Sequence, residues 1–387
     1  MKILKCLEIG STAVLLWLYL ETIFSLIIDC FYFTLPWFVW GAIAVIVLMK
    51  FFIHVPTPND VQVKKFLGID PLEIDYVADF MSFDNILCEN EEDEKENEYD
   101  DEKKEELRLK REEDDKNCIR VCAHRGAGFD YPENSLSAFR NAYQKGVGAI
   151  EFDLALTKDN VPILFHDTNI DRLTGFEGNI SDMTWNDLQA YDISATHCLR
   201  EKLNLHGERI ASFEEVLVET LKNGQRMFID IKASGNEIVN VVLDAFKKYP
   251  DLYNQAAISS FNPLTVYNIR KKDPKIIAGM AYRPGFFTYF NYNGQKGPWE
   301  PRYNSLHMHL LASMMDLIHD WAFPRLTYYL LGLSFVLLHK DLISPEVVRL
   351  WNNREVRVFA WTVNLSSEKT HFLRNLKVSY LTDTLLS

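Results

Sequence analysis

Several features that mark common protein classes are missing from this sequence. Its six cysteines form no CxxC pair, are too sparse for a disulfide scaffold and lack histidines at zinc-finger spacing, which excludes a zinc module and a small disulfide-rich fold. A basic excess is also missing, since 41 Lys and Arg face 54 Asp and Glu and the net charge is −13. Nucleic-acid binding depends mainly on neutralising phosphates, so this composition argues against a nucleic-acid partner.

The acidic charge is concentrated in one segment. Residues 89–116 hold 16 acidic and 7 basic residues, a net charge of −9, which leaves −4 for the rest of the chain. The first half of this run is too acidic to fold alone, and the second half has the opposite charges at i,i+4 of a solvated helix. We interpret the run as a spacer, with a cation- or partner-binding segment as the alternative, and predict a linker over residues 56–117.

The amino-terminal residues 1–55 are predicted to be a membrane anchor. Residues 30–49 carry no charge over 20 positions, which is enough to cross the ~30 Å of a bilayer core. The run is too long and too aromatic for a signal peptide, and the alternative is a buried core helix. Pro36 suits the first turn of a second helix, so both one span and a hairpin of residues 9–33 and 36–53 are open.

From residue 119 onward, short apolar strands alternate with helical segments. This alternation over about 270 residues predicts a (β/α)8 TIM barrel within a catalytic domain of residues 118–387. An open doubly wound sheet is the alternative, although the first strand–helix turn lacks GxGxxG. The predicted strands are 119–122, 149–153, 162–165, 227–231, 257–259, 276–281, 357–363 and 378–381.

Ionisable and aromatic side chains follow these strands, where a barrel has its catalytic rim. Three carboxylates from two strands favour Mg²⁺ or Ca²⁺ over zinc or copper. Two histidines can share acid and base roles, and an arginine and a lysine can hold a phosphate. Together they predict hydrolysis of a phosphate ester, although each residue alone could be structural. The residues are His124, Arg125, Glu151, Asp153, His166, Asp230, Lys232 and Trp361.

The order and spacing of these motifs resemble the glycerophosphodiester phosphodiesterase family, and within it the membrane-bound animal branch. The resemblance covers residues 119–385. Its motifs are His124-Arg125-Gly126, Pro132-Glu133-Asn134-Ser135, Glu151-Phe152-Asp153, His166-Asp167, Asp230-Ile231-Lys232, Trp361-Thr362-Val363-Asn364 and Leu381-Thr382-Asp383.

The resemblance implies a TIM barrel that cleaves glycerophosphodiesters to sn-glycerol 3-phosphate and an alcohol in glycerophospholipid metabolism. A divalent cation is implied, for which Mg²⁺ is favoured and Ca²⁺ is the alternative, and the 2-hydroxyl of glycerol is the expected nucleophile. We expect His166 to protonate the leaving alcohol and His124 to act as base, with the reverse assignment open. The other implied roles are metal ligation by Glu151, Asp153 and Asp230, phosphate binding by Arg125 and Lys232, and a pocket wall at Trp361.

Two positions depart from the family pattern. The third metal ligand is Asp230 where many members carry Glu, and the shorter side chain could leave a water between it and the metal. Ser135 stands where Thr is more usual, and either hydroxyl can cap the following helix.

Residues 285–342 are predicted to be a membrane-associated insertion after the sixth strand. Nearly 60 residues far exceed the usual βα connection, and residues 326–338 contain no charge. We expect a re-entrant or in-plane helical pair bent near Pro324, with a hydrophobic lid or a dimer contact as the alternative.

The expected substrates are glycerophosphoinositol-type diesters or glycerophospho-N-acylethanolamines. Lysophospholipase D-type cleavage of lysolipids to lysophosphatidic acid is the alternative, and a catalytically silent membrane scaffold for a signalling partner is a remote one. We expect an integral protein of the plasma membrane or an endomembrane, with a luminal or extracellular catalytic domain. A glycan is expected at Asn179 rather than at Asn364, which lies on the predicted rim.

Overall fold

The computed structural model describes residues 2–73, 118–292 and 299–386, with only the backbone for residues 2–16 and 36. The chain divides into two compact units, Met1–His54 and Val55–Ser387. The acidic run of residues 89–116 lies outside the described residues, so its interpretation as a spacer stays a prediction.

The first unit is one long helix, α1 (Lys2–Leu48), which continues into a π-helical turn over Met49–Ile53. Its segment Trp17–Ile53 has 37 residues and a mean hydropathy of 2.0, so it is long and apolar enough to cross a membrane. The helix continues through Pro36 without a turn. The structure therefore has one continuous helix, a single candidate span, in place of the two helices of a hairpin.

The second unit is a closed barrel of eight parallel strands. The strands of this unit are β1 (Val121–Ala123), β2 (Ala149–Leu156), β3 (Pro162–Leu164), β4 (Arg226–Ile231), β5 (Ala256–Ser259), β6 (Ile277–Tyr282), β7 (Phe335–His339), β8 (Arg357–Trp361) and β9 (Ser379–Thr382). In the barrel, β1 pairs with β2, and the remaining neighbours follow in the order β2, β4, β5, β6, β7, β8, β9 and back to β1.

Amphipathic helices connect and cover the strands. Several begin at a side-chain cap that the sequence supplies, such as Ser212, whose hydroxyl accepts from the backbone NH of Glu215. The main helices are α2 (Asp60–Leu67), α3 (Leu136–Gln144), α4 (Phe213–Asn223), α5 (Asn236–Lys248), α6 (Pro263–Lys272), α7 (Leu306–Ala322), α8 (Pro345–Asn352) and α9 (Ser366–Thr370). Shorter turns are Asp171–Thr174, Trp185–Leu188, Arg200–Leu203, Leu252–Gln255 and Tyr328–Leu331.

The predicted fold is confirmed, but two strand assignments differ. The strand β3 runs antiparallel to β2 and lies outside the barrel order. The sixth barrel strand is β7, which the sequence analysis placed inside the predicted membrane insertion. The helical pair bent at Pro324 was therefore wrong for residues 335–339, because a strand buried within a barrel is a continuous apolar run like a membrane segment.

The predicted linker also starts too early, because α2 belongs to the barrel unit. Phe66 is fully buried, and its ring lies 5.2 Å from that of Phe228 inside the barrel. The guanidinium of Arg357 donates to the carbonyls of Leu67 and Gly68 at 2.6 and 2.8 Å. Residues 55–73 thus pack with the barrel, and any linker is confined to residues 74–117.

The barrel interior around α2 is filled by aromatic rings. Phe228, Phe335 and Phe359 contact one another with centroid separations of 5.1–5.9 Å. Gly279 of β6 makes room for them, since a Cβ there would lie 2.2 Å from the Phe335 ring.

We expect Phe66→Ala to lower the free energy of unfolding of the barrel by about 3–5 kcal/mol, because it removes a fully buried ring and leaves a cavity. Thermal unfolding of the detergent-solubilised full chain measures this loss. Val61→Ala on the same helix is the control, since that side chain is 75% exposed. Equal stability of the two variants would show that α2 does not contribute to the barrel core.

Candidate active site

The carboxyl ends of the barrel strands bring the predicted residues together at one rim, as expected for parallel strands. Glu151 and Asp153 lie on β2. Asp230 lies near the carboxyl end of the neighbouring strand β4, where it is the register partner of Asp153. His166 does not follow a barrel strand. It follows β3, which runs antiparallel to β2, and the backbone NH of Phe165 donates to the carbonyl of Asp153.

Three buried carboxylates form the centre of the rim. One oxygen each of Glu151, Asp153 and Asp230 lies within 4.8 Å of the others. Burial raises the pKa of Glu151, and the neighbouring charge of Asp153 raises it further. Like charges this close need a cation, and an all-oxygen donor set suits a hard divalent ion. Asp230 reaches the cluster despite its short side chain, so these residues fit the metal that the sequence predicts.

Two cations border the carboxylates. The ammonium of Lys232 lies 2.6 Å from Asp230 and 3.0 Å from Asp153, and the Nε of Arg125 lies 3.2 Å from Asp153. Burial alone would raise the pKa of Asp153, but Lys232 and Arg125 hold it well below its ordinary value. Asp153 therefore stays ionised, and the two cations balance part of the charge of the carboxylates.

The Pro-Glu-Asn-Ser segment positions this centre. The Asn134 side chain donates to the Asp153 carboxylate at 2.8 Å and accepts from the Asp153 backbone NH at 3.1 Å. Asn134 has a φ of 58°, a conformation that asparagine tolerates better than most residues. Ser135 caps α3 by accepting from the NH of Ala138 at 3.1 Å, so its predicted role is confirmed.

Each histidine is oriented by a carboxylate. His124 donates through Nδ1 to Asp383 at 2.5 Å, because a carboxylate only accepts, and its Nε2 lies 3.8 Å from Glu151. Asp383 is held by Asn364, which donates to its other oxygen at 2.8 Å. This hydrogen bond uses one of the two hydrogens on the Asn364 amide nitrogen.

His166 is held in the same way through a longer network. Its Nδ1 lies 2.6 Å from Asp167, which also accepts from Arg172 at 2.6 Å. Arg172 continues to Glu133 with two hydrogen bonds of 2.7 and 2.9 Å, and Glu133 accepts from Arg125 at 3.0 Å. The network thus couples the histidine on one side of the rim to the arginine on the other.

The two histidines differ in their proton affinity. Burial lowers the pKa of His166 below its ordinary value. Burial acts in the same direction on His124, but the charges of Glu151 and Asp383 outweigh it and raise the pKa of His124. Glu151 contributes the larger of the two effects that raise the pKa of His124. A divalent cation bound beside Glu151 would offset that effect.

An aromatic wall lines the rim beside Lys232, whose ammonium lies 5.9 Å from the centre of the Phe261 ring. Trp361 is the last residue of β8, and its indole NH donates to the carbonyl of Leu337 at 3.0 Å. The indole NH is therefore already used within the barrel, and the ring is left for contact with other groups. Phe261 contacts it edge-on at 5.8 Å and stacks on Phe286 at 5.4 Å. His339 at the end of β7 also contacts Trp361, at 5.1 Å. The wall is built from aromatic rings, and the guanidinium groups of Arg283 and Arg302 lie over the Phe286 ring.

Sequence reasoning gave no role to Asp383, Asn134, Arg172 or His339. The first two stand in quoted motifs, and for Asp383 its position directly after β9 was the available signal. Arg172 lies in the excursion after β3, whose own core includes Phe165 and Ile180, and no strand-end pattern indicated it.

Comparison with known proteins agrees with this geometry. A model of the glycerophosphoryl diester phosphodiesterase family matches residues 124–384. Human glycerophosphodiester phosphodiesterase 1 is 32% identical over 268 residues, which cover 69% of this chain and 78% of that protein. A glycerophosphodiester phosphodiesterase of Caldanaerobacter subterraneus subsp. tengcongensis is 26% identical over 66% of this chain and 89% of its own length.

Solved structures share the fold. A putative glycerophosphoryl diester phosphodiesterase from Silicibacter pomeroyi DSS-3 has a TM-score of 0.51 at 20% identity, over 68% of this chain and 90% of that one. The Oleispira antarctica phosphodiesterase, solved with the product sn-glycerol-3-phosphate, has a TM-score of 0.50 at 19% identity over 68% and 92%. Since the family model matches well over half of the sequence, the chain belongs to the glycerophosphoryl diester phosphodiesterase family and is a phosphoric diester hydrolase.

Proposed function

We propose that this enzyme hydrolyses glycerophosphodiesters to sn-glycerol 3-phosphate and the free alcohol, using a divalent cation held by Glu151, Asp153 and Asp230. The observation that carries the proposal is the cluster of three buried carboxylates within 4.8 Å, beside two histidines oriented by carboxylates. The Oleispira relative, which binds sn-glycerol-3-phosphate, supports the product. Mg²⁺ is the favoured ion, because it is held by few carboxylates and keeps several waters.

The residues around the carboxylates bind and orient the substrate. When bound, the cation would polarise a phosphoryl oxygen as a Lewis acid. Arg125 and Lys232 hold the remaining phosphate charge, and their side chains are 17% and 24% exposed, so a phosphate can reach both from the mouth. Trp361 and Phe261 exclude water from the other side.

The two histidines move the protons. His124 takes the proton of the glycerol 2-hydroxyl as this oxygen attacks phosphorus, and the bond from phosphorus to the alcohol oxygen breaks. His166 gives its proton to the leaving alcohol. A water then opens the cyclic phosphate with the roles reversed. The His166 side chain is 33% exposed and that of His124 is 15%, which favours His166 at the solvent side where the alcohol leaves.

The test is a panel of glycerophosphodiesters with the detergent-solubilised full chain. The panel contains the inositol, choline, ethanolamine and N-acylethanolamine diesters, each with Mg²⁺, Ca²⁺ or EDTA. We expect equal release of sn-glycerol 3-phosphate and free alcohol with Mg²⁺, and none with EDTA. Full turnover after removal of metal would contradict the assignment of the carboxylates, and release of glycerol in place of its phosphate would contradict the bond cleaved.

A second candidate function is cleavage of lysolipids to lysophosphatidic acid by the same residues. The aromatic wall of Phe261, Phe286 and Trp361 favours it, because an apolar surface beside the phosphate site can contact an acyl chain. Lysolipids with inositol or choline headgroups therefore belong in the same panel. Release of lysophosphatidic acid, with the water-soluble diesters inert, would replace the first function by the second.

A further inference from the structure

The helix α7 exposes an apolar face that nothing in the described barrel covers. Its outward side chains form one stripe along 17 residues, and the most exposed are Leu306 at 74% and Leu317 at 71%. The inward side is a separate stripe through Ala312 and Asp316, both buried. The outward apolar residues are Leu306, Met308, Leu310, Leu311, Met314, Met315, Leu317, Ile318 and Trp321.

The outward face of α7 also lacks charge. The helix contains two acidic residues and no Lys or Arg, and both acids serve inward contacts. Asp316 accepts from the backbone NH groups of Phe287 and Thr288 at 2.9 and 3.0 Å, and Asp320 accepts from the Tyr282 hydroxyl at 2.7 Å. A helix on the surface of a globular protein normally turns charged residues outward. The outer helix α4 does so with Glu214.

The carboxyl-terminal end of this face carries a pair of residues suited to a membrane interface. The guanidinium of Arg325 lies over the Trp321 ring at 5.6 Å and donates to the Trp321 carbonyl at 3.0 Å. Trp is enriched where hydrocarbon meets water, and Arg extends its charged group from such positions toward water.

The covalent chain brings a bilayer close to this flank of the barrel. The candidate span ends at Ile53, two residues before the barrel unit begins at Val55. The backbone NH of Val55 donates to the carbonyl of Leu330 at 2.9 Å, in the segment that connects α7 to β7. The buried Arg270 links the same two segments, because its guanidinium donates to the carbonyls of Pro56 and Leu331.

We propose that the outward face of α7 lies in the surface of the lipid bilayer that holds α1. Its apolar side chains enter the acyl region, and Arg325 stays at the headgroups. The loop that follows β6 joins this helix to the active site. In it, the backbone NH of Phe287 donates to Asp316 of α7, and the neighbouring Phe286 belongs to the aromatic wall. The aromatic wall of the active site is therefore joined through this loop to the helix that contacts lipid.

Photolabelling of the full chain in phosphatidylcholine vesicles tests this surface without measuring turnover. The vesicles contain a phosphatidylcholine with a diazirine on its acyl chain, and the labelled peptides are identified by mass spectrometry after irradiation. We expect labelling of α7 peptides at a level near that of α1, whereas peptides of α4 stay at background. Labelling of α1 with α7 at the α4 level would overturn the proposal.

A variant pair tests whether the apolar face itself makes the contact. Met314→Glu with Leu317→Glu should reduce α7 labelling at least about tenfold, since two large apolar side chains no longer favour burial. Val218→Glu on α4, whose side chain is 50% exposed, is the control and should change nothing. Turnover of a water-soluble glycerophosphodiester checks that both variants fold. If α7 stays unlabelled by the lipid and a bifunctional protein crosslinker joins it to α7 of another chain, the occupant is a second copy and the proposal is overturned.

Discussion

Glu151→Gln should lower turnover of glycerophosphodiesters by at least about 10²–10³-fold and should also weaken binding of the divalent cation. The substitution keeps the shape of the side chain and removes one of three carboxylate charges. Glu151 also accepts from the Arg125 backbone NH at 3.0 Å, a bond that Gln retains through its carbonyl oxygen, so the loop after β1 should stay in place. Steady-state turnover and calorimetric titration with Mg²⁺ measure the two effects.

Glu346→Gln is the matched control for this prediction. Its side chain is 73% exposed on α8 and pairs only with neighbouring surface groups such as Arg349. It should leave both turnover and Mg²⁺ binding unchanged. A Glu151→Gln enzyme that binds Mg²⁺ with wild-type affinity would show that Glu151 is not a ligand, whatever its turnover.

The carboxylate cluster of the candidate site could be predicted because strands impose a simple geometry. Side chains two apart on a strand share a face, so Glu151 and Asp153 had to point the same way, as did Asp230 and Lys232. Parallel strands then bring their carboxyl ends to one rim. These rules need no knowledge of loops, and the structure follows them to the register partners Asp153 and Asp230.

The supporting residues could not be predicted in the same way. Asp383 is 259 positions from His124 along the chain, and their pairing depends on β9 closing the barrel against β1. The network from His166 to Arg125 runs through Arg172, whose position is set by an irregular excursion after β3. Periodicity gives the face of a strand but says nothing about where such an excursion returns.

Local apolar patterns were ambiguous in two places. The run containing β7 had the composition of a membrane segment. Because β3 had been counted as a barrel strand, the eight predicted strands left no barrel strand missing. The helix α2 has only eight residues and one fully buried ring, Phe66. Its apolar residues therefore show little helical periodicity, and in the sequence it directly follows the long apolar run of the predicted anchor. Both errors arose because composition does not report which surface covers an apolar segment.

His166→Ala should lower turnover of an alkyl glycerophosphodiester by about 10²–10⁴-fold, the usual contribution of a general acid or base. The loss should be much smaller with the p-nitrophenyl ester of glycerol 3-phosphate, because nitrophenolate leaves without needing a proton. His124→Ala should lose activity on both substrates, since the 2-hydroxyl still requires a base. Single-turnover rates on the two substrates measure this difference directly.

The comparison of the two variants decides the roles without relying on either one alone. His371→Ala serves as the control, because this histidine is exposed on the turn after α9. If His124→Ala is the variant rescued by the nitrophenyl ester, the acid and base assignments are reversed, and the raised pKa of His124 becomes part of its role as acid. If both variants turn over the alkyl substrate at the wild-type rate, neither histidine transfers a proton. The carboxylates Asp383 and Asp167 would then be orienting side chains that the reaction does not use.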